Sequence, residues 1–290
     1  MNLSNKQKGI LALVGLAFTY ASFGFFTRYL SVSFGFFQQL YLRILAGLII
    51  GFLIFGKNFN FSKLRKITLK EWLILIFRGT AYYLLGAALF NKAVLLTKIS
   101  TVALIGSIPM TAILGFLILK EKLTAEKIIY IFLSFIGALI ISVNSFTNFS
   151  WGLGEIMAFI SCFFVALSIT FRRYQTKLLN NVEITQIMLS VAFISIFTAS
   201  LLAKESLLIN WSVSSIVVIL IAGLMNVLMI WFTNYGFENV KTSIAANILT
   251  LEMFFAVLIG LLLYREIPGT KELIGGVLIL FSVIEMNKLE

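Results

Sequence analysis

Stretches of about twenty apolar residues alternate along the chain with short polar breaks. Ten such stretches fall at roughly 9–27, 36–55, 71–90, 99–119, 127–146, 152–171, 184–203, 213–233, 243–264 and 272–287. An α-helix rises 1.5 Å per residue, so about 20 apolar residues are needed to cross a hydrocarbon core of about 30 Å. The pattern predicts an all-α integral membrane protein with ten transmembrane helices. The links between runs are a few residues long and leave no space for a soluble domain.

Composition agrees with that pattern: 60% of residues are hydrophobic, 12% are charged and the mean hydropathy is +1.02. The net charge of +11 is spread over the hydropathy breaks, with no basic arm or aromatic-basic surface module, so nucleic acid is not the expected partner. The charges set orientation instead. With a cytoplasmic N-terminus, fifteen Lys and Arg residues fall in inner loops, the densest group being Lys57, Lys63, Arg65, Lys66 and Lys70, against six outside. This satisfies the positive-inside rule, and an even span count brings both termini to the cytoplasm of a cell inner (plasma) membrane. The first run stays aromatic to its end and lacks a small-x-small site, so it is expected to be a retained span rather than a signal peptide. The single cysteine, Cys162, excludes an intramolecular disulfide and reads as a small apolar residue.

The missing residue types narrow the chemistry. The chain has no histidine, and all twelve acidic residues are glutamates. A zinc site lacks its usual ligands, a Ser-His-Asp triad cannot be written, and every lysine lies at a loop or span end, out of reach of an intramembrane Ser-Lys pair. No enzyme activity, metal or cofactor is expected. There is no nucleotide-binding loop, so energy would come from gradients or exchange.

The chain also repeats itself. Laying the segment that starts at Phe90 on the segment that starts at Thr233 aligns Asn91 with Asn234, Lys98 with Lys241, Ser100 with Ser243 and Ala103 with Ala246, all at an offset of 143. Glu121 then meets Glu266 at 145, a slip of two residues within spans 4 and 9. Two five-span halves result, about 1–147 and 148–290, and because five is odd they are inverted in the membrane. Inverted repeats suit alternating access, with a substrate site at their interface near the midplane.

Four segments carry a resemblance to a known family: "YLRILAG" in span 2, "STVALIGSIPMTAILGFLILKEKL" with Pro109 and Glu121, "WGLGEIMAFISCFFVALSITFRR" opening the second half, and "SIAANILTLEMFFAVLIGLLLYRE" with Glu252 and Glu266. Their order and duplication resemble the drug/metabolite transporter superfamily in its ten-helix EamA-type branch. The family often has proline after the span 9 glutamate, where this chain has Met253, which leaves a kink there open. The resemblance implies alternating-access transport of small metabolites, commonly amino acids or related zwitterions and often outward. It also implies a path lined by spans 1 to 4 and 6 to 9, with spans 5 and 10 as a brace. A phosphorylated or lipid-linked substrate is the main rival and would want more midplane cations.

Several residues at membrane depth could do the work. Arg43 lies about 10 Å along span 2 from its outer end, where a charge costs about 2.5–3.5 kcal/mol on insertion scales and marks either a functional site or a helix-locking contact. The arginine of "YLRILAG" is common to the resembled family whatever the substrate, which favours a shared structural or gating role. Arg78 and Tyr82, four residues apart in span 3, would share a helix face, and Arg43 with Arg78 would make a cavity that favours carboxylates. Glu252, mid-span 9, is the candidate for coupling or gating, and Pro109 in span 4 could hinge or bend. Tyr20, Tyr82, Tyr83, Trp231 and Tyr235 offer polar-tipped rings, while Asn226, Asn247 and Thr250 add neutral hydrogen bonds. Glu155 would complement the positive end of its helix. Gly47 and Gly51 form a G-x-x-x-G pair expected to pack within the chain beside Arg43, a homodimer contact being the alternative.

Overall fold

A computed structural model describes residues 3–97, 99–142, 152–205, 211–265 and 267–289. Lys98, Trp151 and Glu266, which enter the repeat and the family resemblance, lie outside the described residues, as does the boundary between the halves near 147. The described residues are helical throughout their ordered elements: α1 (Asn5–Leu30), α2 (Phe36–Phe55), α3 (Phe61–Leu64), α4 (Leu69–Thr80), a π-helical segment (Ala81–Ala87), α5 (Ala88–Leu96), α6 (Ile99–Gly106), α7 (Met110–Leu119), α8 (Ala125–Ser142), α9 (Leu153–Thr170), α10 (Asn181–Leu202), α11 (Val213–Asn239), α12 (Thr242–Leu249), α13 (Leu251–Tyr264) and α14 (Thr270–Lys288). Seven of the resulting helical stretches are long and apolar enough to cross a membrane: those beginning at Asn5, Phe36, Leu69, Leu153, Asn181, Val213 and Thr242. Met110–Leu119 is apolar but shorter.

Local sequence explains where the helices start. The Ser4 hydroxyl accepts from Gln7 N and the Gln7 carboxamide accepts from Ser4 N; Thr68 with Glu71 and Asn180 with Glu183 repeat this reciprocal cap for α4 and α10. Helix ends show a different device. Lys120, Lys204 and Arg265 take the left-handed conformation, with φ of 54°, 52° and 56°, and each is followed in sequence by a glutamate. A left-handed residue after a helix reverses the chain and turns the next side chain sideways. Glu121 thereby accepts from Thr242 N (2.9 Å) and Ser243 N (3.0 Å), capping α12 from the other half of the chain. Glu205 accepts from Phe37 N and Gln38 N, both at 2.9 Å, and caps α2.

One expected continuous span is broken and another changes its hydrogen-bond step. In span 4 the helix stops at Gly106 and restarts at Met110. Pro109, at φ −74° and ψ 49°, sits in an inverse γ-turn closed by Met110 N on Ile108 O at 2.6 Å. In span 9, α12 ends at Leu249 and α13 starts at Leu251, with Thr250 between. Thr250 keeps right-handed helical dihedrals (φ −63°, ψ −17°) and its N–H bonds to Asn247 O, so the bonding tightens to an i+3 step there while Thr242–Ile259 remains one span-length helix. Thr250 and Ser107 stand 143 residues apart, the same offset as the aligned repeat.

Packing is by close backbone approach. α1 lies on α11, α2 on α10 and α11, α8 on α14, α9 on the π segment and α5, and α7 on both α9 and α12. A Cβ added at Gly47 would fall 2.9 Å from Gly223 O, and one at Gly275 would fall 2.5 Å from Gly137 O. Glycine at these crossings lets the α2–α11 and α8–α14 backbones approach, as membrane helices require where no hydrophobic effect separates them from lipid. The Gly47 and Gly51 pair thus packs within the chain, against α11 and Gln186 of α10 respectively. Asn247 ties α12 to the α8–α14 pair, its Nδ2 donating to Tyr130 O, Ser134 Oγ and Ser282 Oγ.

Candidate functional site

The break before Met110 and the helical step at Thr250 face one cavity of about 200 Å³. Span 4 contributes Gly106 to Pro109 and Thr111, and span 9 contributes Ala246, Leu249, Thr250, Glu252 and Met253. α1 adds Tyr20 and Phe23, α2 adds Leu40, Arg43 and Ile44, and the π segment adds Tyr82 and Tyr83. α9 adds Ser161, Cys162 and Val165, and α11 adds Asn226 and Met229. Most of this wall is apolar or aromatic, and its polar groups converge from several helices.

Arg43 is 1% exposed. Its Nε donates to Gln39 O (3.2 Å) and its Nη1 to Thr27 Oγ1 (3.3 Å), and its guanidinium lies 5.8 Å from the Phe23 ring centre. Thr27 in turn donates to Asn91 Oδ1, so one network joins α1, α2 and α5. No carboxylate pairs with Arg43 among the described residues. Glu252, in the first turn of α13, likewise has no hydrogen-bond or ion-pair partner among them. Its place at that helix N-terminus suits a negative charge. Tyr20 and Tyr82 share a hydroxyl–hydroxyl bond of 2.6 Å across α1 and the π segment, and Tyr83 donates to Asn226 Oδ1 at 3.2 Å.

Of the residues singled out from sequence, Tyr20, Arg43, Tyr82, Pro109, Asn226, Thr250 and Glu252 line this cavity. Arg78, Trp231 and Asn247 do not. Arg78 is fully buried elsewhere, donating from Nε to Ser168 O and from Nη2 to Asn234 Oδ1, both at 2.9 Å, and so knits α4 to α9 and α11. The shared face expected for Arg78 and Tyr82 assumed a regular α-helix. The π segment beginning at Ala81 changes the hydrogen-bond step from i+4 to i+5 between them and turns the two tyrosines toward the cavity. Trp231 stacks on Tyr235 with ring centres 5.3 Å apart. Asn247 instead bonds to α8 and α14. Glu155 accepts from Gly152 N at 3.0 Å and from the Thr97 hydroxyl, capping α9 and holding the end of α5.

Phe23, Asn91, Ser107, Thr111 and Ser161 also line the cavity and were not singled out. Asn91 was visible as half of the aligned Asn91–Asn234 pair. Each of these asparagines holds a buried arginine network: Asn91 reaches Arg43 through Thr27, and Asn234 binds Arg78 directly. Phe23, Ser107, Thr111 and Ser161 carry no signal in the sequence that would separate them from ordinary helix packing.

On the Glu121 side of the cavity, α7 and α12 are in direct contact, a Cβ at Gly115 meeting Thr242 at 3.1 Å. Arg172 reinforces that side, pairing with Glu238 at 3.1 Å and donating to Asn181 Oδ1 at 3.0 Å.

A helical bundle of this length and apolarity, with a broken helix at an internal cavity, defines a multi-pass membrane protein. The profile of the EamA-like transporter family matches the chain twice, over residues 7–143 and 152–287, and the chain belongs to that family, within the drug/metabolite transporter superfamily. An uncharacterized transporter of Synechocystis sp., sll1164, is 24% identical over 265 residues, covering 84% of this chain and 74% of that protein. A solved crystal structure superposes with a TM-score of 0.77 at 13% identity, covering 98% of this chain and 99% of that one, a likeness of fold alone. Family and relative point to membrane transport of a small molecule rather than to an enzyme.

Proposed function

We propose that this protein is a secondary transporter that moves a small zwitterion, an amino acid or close relative, across the inner membrane by alternating access, in the outward direction. The observation that carries this reading is the charge pattern of the cavity. One cation, Arg43, and one carboxylate, Glu252, line it without an opposite charge on either among the described residues, and the rest of the wall is neutral. Unpaired charges in a low-dielectric site are costly, and a ligand that brings a carboxylate to Arg43 and an ammonium to Glu252 offsets both. A cavity of about 200 Å³ with an apolar lining suits a zwitterion with an apolar side chain.

The ten-span, two-half architecture (1–147 and 148–290) is part of the same proposal. It draws support from the double family match and from the helix break at Ser107–Pro109, which puts irregular backbone where it lines a cavity. The rival, a phosphorylated or lipid-linked substrate, loses ground because Arg78 lies off the cavity and Arg43 is left as the cation there. Glu252 is the group through which proton coupling would run.

Counterflow uptake in proteoliposomes loaded with a panel of amino acids tests the reading. Saturable exchange of one class is expected, reduced at least tenfold in Arg43→Ala, with its pH-gradient dependence lost in Glu252→Gln. Cys162, the single cysteine, lines the cavity and supplies a readout independent of flux: the exchanged compound should protect it from alkylation. Folded protein that exchanges no zwitterion and shows no protection would overturn the proposal.

A further inference from the structure

A second cleft, of about 470 Å³, lies between α2, α4 and α10 and shares no lining residue with the central cavity. Phe52, Phe59, Phe61 and Trp72 form an aromatic wall, with Phe59 4.6 Å from Phe61 and 5.5 Å from Phe52 between ring centres. The mouth is apolar and open: Phe61 is 65% exposed and Ile194 62%.

The floor is different. Gln186 lines the cleft, is 1% exposed, and neither Nε2 nor Oε1 has a hydrogen-bond partner among the described residues. A buried carboxamide with both ends unmade keeps the full desolvation penalty of each group. Its position is fixed by the close α2–α10 crossing, where an ideal Cβ at Gly51 would overlap Nε2 at 1.9 Å. Such an amide is matched by a ligand carrying hydrogen-bonding oxygens on an otherwise apolar body.

The segment that supplies Phe59, Phe61, Leu64 and Trp72 to the cleft is also basic, and its exposed cations form the rim of the proposed site. Lys57, Arg65, Lys66 and Lys70 are exposed, Lys63 is engaged with Glu183 at 3.1 Å, and Glu71 is the one acidic residue between 56 and 71. Gln186 stands five residues into α10 from Asn181, about 7.5 Å along the axis. That matches the about 5–8 Å depth of one headgroup layer, so the amide sits at the level of lipid ester groups when the rim sits among phosphates.

We propose that this cleft is a binding site for one anionic phospholipid. The phosphate lies on the Lys57, Arg65, Lys66 and Lys70 rim, an ester carbonyl accepts from Gln186 Nε2, and an acyl chain runs along the aromatic wall. Juxtamembrane basic clusters attract anionic lipid, and the orphan amide at the floor of the aromatic cleft distinguishes a site from annular lipid. The proposal does not depend on what the central cavity carries.

Trp72, in the cleft wall, is the reporter. With Trp151, Trp211 and Trp231 replaced by Phe, the protein is placed in phosphatidylcholine vesicles containing equal minor fractions of brominated phosphatidylglycerol or brominated phosphatidylcholine. Phosphatidylglycerol should quench Trp72 several-fold more efficiently. The preference should disappear in K57Q/R65Q/K66Q/K70Q, whose changes are all on exposed side chains, and quenching at low phosphatidylglycerol should weaken in Gln186→Leu. Equal quenching by the two lipids, or a preference that survives the quadruple substitution, would mean annular lipid only and overturn the site.

Discussion

Replacing Glu121 with glutamine isolates one contact between the end of α7 and the start of α12. Glu121 accepts two backbone N–H bonds at the N-terminus of α12, at 2.9 and 3.0 Å. A hydrogen bond to a charged group contributes about 1.5–3 kcal/mol against about 0.5–1.5 for a neutral pair, so the charge adds about 1 kcal/mol per bond. The helix dipole adds about 0.3–1 kcal/mol. Discounted for a half-exposed carboxylate, Glu121→Gln should weaken the α7–α12 contact by about 1.5 kcal/mol, close to tenfold in a two-state equilibrium. If that contact closes the cavity on its side, Cys162 should react about tenfold faster with a membrane-impermeant maleimide applied from the Glu121 side, and no faster from the other. Protonation must reproduce the effect. Burial pushes the Glu121 carboxyl up, but the hydrogen bonds from Thr242 and Ser243 outweigh it and hold the carboxyl below its ordinary value. Stabilisation from a group with a depressed pKa is complete above the ordinary value, about 4.3, and fades as pH falls through the folded value. Wild type should therefore keep its slow labelling down to the ordinary carboxylate range and approach the variant only below it. An unchanged labelling rate in Glu121→Gln would refute the assignment of this contact as a closure.

Two further substitutions separate framework from cavity. Arg78→Lys cannot span both Ser168 O and Asn234 Oδ1, so thermal unfolding in detergent should show a loss of about 2 kcal/mol with the pattern of transported compounds unchanged; an altered pattern would return Arg78 to the transport path. Gly47→Ala drives a methyl to 2.9 Å from Gly223 O and should cost about 1–3 kcal/mol, whereas Gly24→Ala, with nothing within 4 Å, should be neutral or slightly stabilising; equal effects on unfolding would contradict the close α2–α11 crossing.

The hydrophobic pattern by itself determined that this is a helical membrane protein, because a span must satisfy its own backbone and shows as an uninterrupted apolar run. The 143-residue offset also marked Asn91 and Asn234, and an arginine at membrane depth announced Arg43 as a residue with a special environment. What only the tertiary structure decided was the direction each polar side chain faces. Arg43 and Arg78 look alike in sequence, yet the π segment and the α9–α11 neighbours take Arg78 into a structural network while Arg43 borders the cavity. The tightened step at Thr250 was hidden because no proline marks it, and Pro109 alone did not reveal that its turn and Thr250 would line the same cavity. The glutamates after Lys120 and Lys204 read as loop charge; folding makes them caps on helices 121 and 168 residues away in sequence. Such contacts follow from helix crossings, which depend on where glycines permit approach between segments far apart in the chain, and a linear pattern records the glycines without naming their partners.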